Sequence, residues 1–137
     1  MIRVFVDTNA YVEFKRGNPH VLEVFHNSDE IVLSSIVLGE LLAGFSIGTQ
    51  EGRNRQELMQ FLASDRVKIA SIDDITAEAY ARLYAALRHK GKPIPTNDMW
   101  IASGALQLNA PLLTFDKHFL EIHGLRIVAS LSDINNL

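Results

Sequence analysis

The most informative absence in this 137-residue sequence is cysteine, of which there is none. Without cysteine, the chain can form neither a disulfide framework nor a thiolate metal site. No apolar stretch approaches the roughly 20 residues that a helix needs to cross a bilayer, so no membrane association is expected. The first residues also lack the basic region and the small-residue cleavage site of a secretory signal, and the cytoplasm is the expected compartment.

Basic residues are also fewer than acidic residues. Lys and Arg number 13 against 16 Asp and Glu, which gives a formal net charge of −3. This balance argues against a protein that binds nucleic acid through a broad basic surface. It remains compatible with a nuclease, because bound metal can reverse the local charge of an acidic site. The length favours one domain over residues 1–137.

Short apolar runs alternate with helical patterns along the chain. The apolar runs predict strands at 2–6, 31–33, 67–72, 112–115 and 126–128. Helical spacing and capping residues predict helices beginning at 18–19, around 38–45 and 58–62, from 80 to 91, over 100–108, and after Asp133. Strands that alternate with helices predict an α/β fold with a central, mostly parallel sheet. Ligands of such sheets bind beyond the carboxyl ends of the strands.

Four acidic residues lie where this fold brings polar groups together. Asp7 follows the first predicted strand and Asp116 follows the fourth, so both carboxylates are expected at the same edge of the sheet. Glu40 is the only polar side chain between residues 36 and 45, and an unpaired carboxylate in such apolar surroundings is costly. Asp98 opens the helix predicted over 100–108, whose amino end favours an ionised carboxylate.

Each acid also has a purely structural interpretation. Asp7 and Asp116 could begin loops or cap the helices that follow them, and Asp98 or Asn97 could cap its own helix. Glu40 could pair with a core arginine. The four acids together are harder to explain in this way, because a cap needs no second acid at the same edge of the sheet.

A cluster of carboxylates predicts a site for a hard divalent cation. Mg²⁺ and Mn²⁺ favour oxygen ligands, keep several waters and bind phosphate oxygens. Repulsion between the carboxylates favours uptake of such an ion. The ion could lower the pKa of a bound water and neutralise charge on a phosphate transition state. This chemistry needs no protein nucleophile, and the sequence offers no convincing Ser, Cys or His triad.

Four segments in order resemble the PIN-domain family, and most of all the VapC toxins of prokaryotic toxin–antitoxin pairs. They are residues 4–9 (VFVDTN), 34–44 (SSIVLGELLAG), 94–102 (IPTNDMWIA) and 113–119 (LTFDKHF). The resemblance implies a three-layer α/β sandwich with a central parallel sheet. It also implies an endoribonuclease that uses Mg²⁺ or Mn²⁺, a cognate antitoxin as partner, and a homodimer.

The resemblance assigns roles to particular residues. The catalytic and metal-binding acids would be Asp7, Glu40, Asp98 and Asp116. The supporting polar groups, which orient carboxylates or waters, would be Thr8, Asn9, Asn97 and Thr114. Nearby cations that could hold RNA phosphates are Lys90, Lys92, Lys117 and His118, although all four could equally be ordinary surface charge.

The remaining polar and small residues have less specific interpretations. Glu13 is interpreted as part of a solvated helix face, and Trp100 as core or interface rather than as a base-stacking platform. Gly39 and Gly44 lie inside a predicted helix, where each costs about 1 kcal/mol relative to alanine. Either close helix packing or a contact with a partner could explain them.

Three other functions stay open at this point. The chain could be a PIN-type nuclease of RNA processing or decay outside any toxin system. It could be a non-catalytic PIN-like interaction module, although such modules usually lose site acids that are all present here. Asp7-Thr8-Asn9 after a strand also suggests an aspartyl-phosphate phosphatase, but that chemistry usually needs a second acid where Asn9 stands.

Overall fold

A computed structural model describes residues 1–137 and contains five strands, seven α-helices and one 3₁₀ helix. The strands are β1 Arg3–Val6, β2 Glu30–Ser34, β3 Val67–Ala70, β4 Leu112–Leu113 and β5 Ile127–Val128. The α-helices are α1 Thr8–Lys15, α2 Pro19–Asn27, α3 Ser35–Ile47, α4 Glu51–Leu62, α5 Asp74–Lys90, α6 Thr96–Gln107 and α7 Leu131–Asn135. The 3₁₀ helix spans Lys117–Glu121.

The five strands form one sheet in the order β3-β2-β1-β4-β5, and every neighbouring pair is parallel. The predicted α/β class with a central sheet is confirmed, and the sheet is entirely rather than mostly parallel. None of the helices combines the length and apolar character required to span a bilayer.

The centre of the sheet is buried on both faces. Val4, Phe5 and Val6 of β1 are completely inaccessible to solvent, as are Leu112 and Leu113 of β4. Such continuous apolar runs are typical of strands covered on two sides, and the structure confirms that interpretation.

Helix α6 packs closely against β1 at a glycine. A Cβ atom added to Gly104 would lie 2.7 Å from Cζ of Phe5, so the helix can approach the strand only because this side chain is absent. Helix α6 is buried from Met99 to Ala105 except at Trp100, as its apolar composition predicts. Trp100 is half-buried and stacks on Tyr80 of α5, with ring centroids 4.0 Å apart.

Several predicted boundaries are wrong. Strand β4 has two residues rather than four, because the amide of Phe115 donates to the side-chain oxygen of Asn9 instead of continuing the ladder. Strand β3 ends at Ala70, two residues before the predicted end.

One predicted cap is wrong, and one of the two explanations for Gly39 and Gly44 is excluded. Ser130, not Asp133, is the N-cap of α7, and its hydroxyl accepts a bond from the Asp133 amide. Close packing within the chain does not explain Gly39 or Gly44, because an added Cβ would meet nothing within 4 Å at either position.

Candidate active site

A cavity of about 510 Å³ opens where the carboxyl ends of β1 and β4 meet the amino end of α6. The two strands stay joined there, because the amide of Asp7 donates a 3.0 Å bond to the carbonyl of Leu113. All four acids singled out in the sequence line this cavity. The lining residues are Asp7, Thr8, Asn9, Val12, Glu13, Arg16, Glu40, Pro95, Asn97, Asp98, Phe115 and Asp116.

Asp7 is the most deeply buried of the four acids, with 4% of its surface exposed. It is the N-cap of α1, and its Oδ1 accepts a 2.8 Å bond from the amide of Thr8. Its Oδ2 accepts a 2.7 Å bond from the hydroxyl of Thr114. Burial raises the pKa of Asp7 to about 6, against the lowering effect of these bonds, and the charges of Asp98 and Glu40 raise it further. The capping interpretation of Asp7 is therefore correct, but a cap alone explains neither its second bond nor its burial.

Glu40 joins three helices at the rim of the cavity. The Thr8 hydroxyl of α1 donates a 2.9 Å bond to its Oε1, and the Asn97 amide of α6 donates a 2.9 Å bond to its Oε2. The expected apolar surroundings are wrong, because Ala43 and Gly44 on the next helical turn are exposed and Glu40 itself is half-buried. Its partners are these two neutral donors rather than a core arginine.

Asp98 points into the cavity from the first turn of α6. The N-cap of that helix is Pro95, which makes no side-chain cap bond, so neither Asn97 nor Asp98 serves as the cap. Both side chains are therefore available to the cavity. Burial raises the pKa of Asp98 in the first place, and the charges of Asp116 and Glu40 add to the rise, whereas a contact with His118 opposes it.

Asp116 is held by a turn that centres on Thr114. The Thr114 hydroxyl, which donates to Asp7, accepts a 3.0 Å bond from the amide of Asp116 and a 3.5 Å bond from the side chain of Asn9. Asp116 is in turn the N-cap of the 3₁₀ helix, since its Oδ1 accepts a 2.9 Å bond from the amide of His118. One hydroxyl thus sets the positions of two acids.

The donor set fits a divalent cation. Asp98, Asp116 and His118 each offer one ligand atom, and these atoms lie within 4.8 Å of one another. Carboxylate oxygens are the ligands that Mg²⁺ and Mn²⁺ prefer. Burial is the main cause of the raised pKa of Asp7 and of Asp98, and the charges of neighbouring carboxylates add to it; a bound metal ion would favour the ionised form of both acids.

Of the four cations considered in the sequence, His118 alone contacts the acids. Lys90 lies elsewhere, in a 3.2 Å ion pair with Glu121 at the far end of α5. Neither Lys92 nor Lys117 lines the cavity.

Glu13 and Arg16 line the cavity although the sequence did not single them out as site residues. Together with Asn9 they are spaced three or four residues apart on α1, so they share one face of that helix. Arg16 is the one basic residue in the lining, and it takes part in none of the ion pairs of the structure. This spacing is the feature of the sequence from which Glu13 and Arg16 could have been predicted as site residues. It can be used only once a helix is known to begin after Asp7.

Comparisons of the sequence and the fold with known proteins point to one family. The family model described as "PIN domain" matches residues 4–125. Ribonuclease VapC2 of Rickettsia felis is 34% identical over 113 residues, which are 80% of this chain and 83% of that protein. Ribonuclease VapC1 of Haemophilus influenzae is 30% identical over 127 residues, 88% of this chain and 92% of that protein. Among solved structures, VapBC2 from Rickettsia felis bound to a DNA fragment from its promoter superposes with a TM-score of 0.82 at 31% identity, covering 93% of this chain and 98% of the other.

Proposed function

This chain belongs to the PIN-domain family and is a relative of the VapC ribonucleases, and on that basis we propose that it is a metal-dependent endoribonuclease that acts as the toxin of a toxin–antitoxin pair. The observation that carries the proposal is the meeting of Asp7, Glu40, Asp98 and Asp116 in one cavity. These acids come from four separate segments of the chain, and a purely structural role for any one of them does not require the other three.

The four acids are proposed to hold Mg²⁺ or Mn²⁺. A divalent ion at this place would supply Lewis acidity toward a phosphate oxygen and would lower the pKa of a bound water. Thr114 and the amide of Thr8 favour the ionised form of Asp7, which is the form that binds a cation. The neutral donors Thr8 and Asn97 fix both oxygens of Glu40 without neutralising its charge.

Glu40 is the acid that we assign to accept the proton of the attacking water. It is less buried than Asp7, and each of its oxygens keeps a free lone pair beside the single bond that it accepts. Two side chains from different helices fix its orientation, which would hold its free lone pairs in place to receive a proton.

Arg16 is proposed to contact an RNA phosphate at the edge of the cavity. An acidic cavity repels a polyanion, and the guanidinium group is the one positive charge in its lining. Because Arg16 forms no ion pair with a neighbouring acid, its donors are available for a planar, two-point contact with a phosphate.

The toxin assignment follows from the assemblies in which relatives were solved. The Rickettsia felis and Haemophilus influenzae structures are VapBC complexes, and VapBC assemblies are toxin–antitoxin pairs. We propose a cognate antitoxin for this chain by the same logic, whereas the homodimer remains a prediction. An RNA-processing nuclease would use the same cavity, so growth arrest on expression, relieved by the product of an adjacent small gene, distinguishes the toxin from that alternative.

The direct test is RNA cleavage by the purified protein. We expect cleavage with Mg²⁺ or Mn²⁺, none in excess EDTA, and a loss of at least about a hundredfold in Asp98→Asn. Asp65→Asn, which makes the same chemical change at an exposed position outside the cavity, is the matched control and should cleave normally. Cleavage that persists in EDTA would reject the metal mechanism, and a correctly folded protein without any cleavage would favour the interaction module.

A second experiment identifies the RNA target. Sequencing of RNA ends after induced expression should reveal cuts that are absent when Asp7→Ala is expressed instead. Equal patterns of ends in the two strains would contradict the endoribonuclease proposal.

A further inference from the structure

The 3₁₀ helix places an imidazole between two acids of the cavity. Asp116 caps this helix through the amide of His118, which fixes the position of that residue. His118 Nδ1 lies 3.3 Å from Oδ2 of Asp98 and 3.3 Å from Oδ1 of Asp116. The ring thus contacts one carboxylate from the first turn of α6 and one from the turn that follows β4.

His118 Nδ1 lies within hydrogen-bonding distance of Asp98, but one ring nitrogen has only one proton with which to bond two carboxylates. A bond between a charged donor and a carboxylate is typically about 2.7–2.9 Å long. His118 makes two longer contacts rather than one short bond. Neighbouring ligands of one octahedral ion lie about 3 Å apart when each metal–ligand bond is about 2.1 Å, which is close to the 3.3 Å that separates Nδ1 from each carboxylate oxygen.

We propose that His118 Nδ1 is a direct ligand of the divalent ion and makes the site prefer Mn²⁺ to Mg²⁺. The inference rests on the proposed metal-dependent function and adds a nitrogen ligand to its four acids. An imidazole is a good ligand for transition ions, whereas Mg²⁺ favours oxygen ligands and water. The preference would thus come from this one side chain, since carboxylates serve both ions.

His118 can be changed without disturbing the core. Its side chain is 55% exposed, and the bond that caps the 3₁₀ helix uses its backbone amide, which any substitution retains. His118→Asn therefore removes the ring nitrogen while keeping the cap. His123→Asn is the matched control, because His123 is exposed and lines a different groove, beside α5.

The test is pulsed electron paramagnetic resonance of Mn²⁺ bound to the RNA-free protein, combined with calorimetric titration of Mn²⁺ and Mg²⁺. We expect nitrogen hyperfine coupling from one imidazole, which changes in the predicted way when histidine is labelled with nitrogen-15. The coupling should be lost in His118→Asn and kept in His123→Asn. The Mn²⁺ affinity of His118→Asn should fall at least about tenfold, and its Mg²⁺ affinity should change less than about twofold.

The outcomes separate this inference from the proposed function. Bound Mn²⁺ without nitrogen coupling in the unmodified protein overturns the inference, and this spectrum does not depend on any variant. Coupling that persists in His118→Asn overturns it too, since the nitrogen would then belong to another histidine. If the same protein cleaves RNA only with metal, the nuclease proposal survives either result. A folded protein that binds no Mn²⁺ at all contradicts both.

Discussion

The hydroxyl of Thr114 donates a 2.7 Å hydrogen bond to Oδ2 of Asp7, across 107 positions of the chain. The bond joins the ends of β4 and β1, and the donor is itself buried. The same hydroxyl accepts a hydrogen bond from the amide of Asp116. One side chain therefore links two acids of the cavity and favours the ionised form of Asp7, the more buried of the two.

Removal of this hydroxyl should raise the pKa of Asp7 further above its already elevated value of about 6. Thr114→Val keeps the size of the side chain but loses the bond that favours the ionised carboxylate. Carbon-detected NMR titration of the Asp7 carboxyl group in metal-free protein measures the change. Thr114→Ser keeps the hydroxyl and should titrate like the unmodified protein, whereas an unchanged midpoint in Thr114→Val would show that the bond has no such effect.

The metal-free protein should lose stability as the pH rises from about 4 to about 6. The pKa of Asp7 is about 6 in the folded state against an ordinary value of 3.8, so between these values the folded protein binds one proton more than the unfolded chain, and ionisation of Asp7 opposes folding. This pKa difference corresponds to at most about 3 kcal/mol of unfolding free energy, present below about pH 4 and lost by about pH 7. Urea unfolding in EDTA across this range measures it.

Asp7→Asn should flatten that pH dependence and make the metal-free protein more stable than the unmodified one at pH 7. Asparagine also serves well as an N-cap, so α1 should still begin at the same residue. Asp65→Asn, at an exposed position, should leave the slope unchanged. A less stable Asp7→Asn protein at neutral pH would mean that the hydrogen bonds of Asp7 outweigh the cost of its burial.

The sequence was sufficient to predict that the four acids lie close together, because each of them adjoins or lies within a strongly patterned apolar element. Val4-Phe5-Val6 and most apolar residues of α6 are buried in the observed core, and parallel strands bring their carboxyl ends to one edge. These facts are enough to place Asp7, Asp98 and Asp116 near one another without any knowledge of side-chain contacts.

The bounds of α1 and of the 3₁₀ helix escaped prediction for a physical reason. Helix α1 buries only Ala10 and Tyr11, because its face with Glu13 and Arg16 borders a polar cavity instead of the core. A helix of this kind lacks the apolar period that reveals helices in a sequence. Lys90 was placed near Asp98 on proximity in sequence alone, whereas the end of α5 carries it to Glu121.

The two neutral donors to Glu40 should matter for catalysis more than for stability. Asn97 is exposed, so Asn97→Ala should fold normally and slow RNA cleavage about tenfold or more, the usual effect of losing a group that orients a site carboxylate. Asn97→Asp should be worse, because it sets a second carboxylate against Glu40. Single-turnover cleavage rates and thermal unfolding of the same samples separate the two effects.

Thr8→Val provides the second half of this test, since its hydroxyl holds the other oxygen of Glu40. If both bonds orient one carboxylate, the loss in the double variant should be smaller than the product of the two single losses. Strictly multiplicative losses would show that Thr8 and Asn97 act independently of each other, and would contradict a joint role in orienting Glu40.

Gly39 and Gly104 should respond oppositely to alanine, although both lie inside helices. A Cβ at Gly39 would meet nothing within 4 Å, so Gly39→Ala should stabilise the protein by up to about 1 kcal/mol. A Cβ at Gly104 would lie 2.7 Å from the ring of Phe5, so Gly104→Ala should cost about 1–3 kcal/mol through overpacking. Chemical denaturation measures both. Equal effects at the two positions would contradict the close approach of α6 to β1.

Arg16 should contribute to RNA binding through its charge rather than through the fold. It is exposed at the end of α1 and has no ion-pair partner, so Arg16→Gln should leave unfolding unchanged and weaken RNA binding at low salt. If Arg16 neutralises one phosphate, the slope of log affinity against log salt should become shallower by about 0.7. The measurement uses an Asp98→Asn background, so that the RNA stays intact.

The matched control is Arg82→Gln, which makes the same change of charge on α5, outside the cavity. It should alter neither the affinity nor the slope, whereas Arg16→Lys should keep the slope and lose part of the affinity, because lysine retains the charge but not the two-point contact. Equal losses in Arg16→Gln and Arg82→Gln would mean that RNA responds to the overall charge of the protein. That result would mean that RNA binds to a surface away from α1.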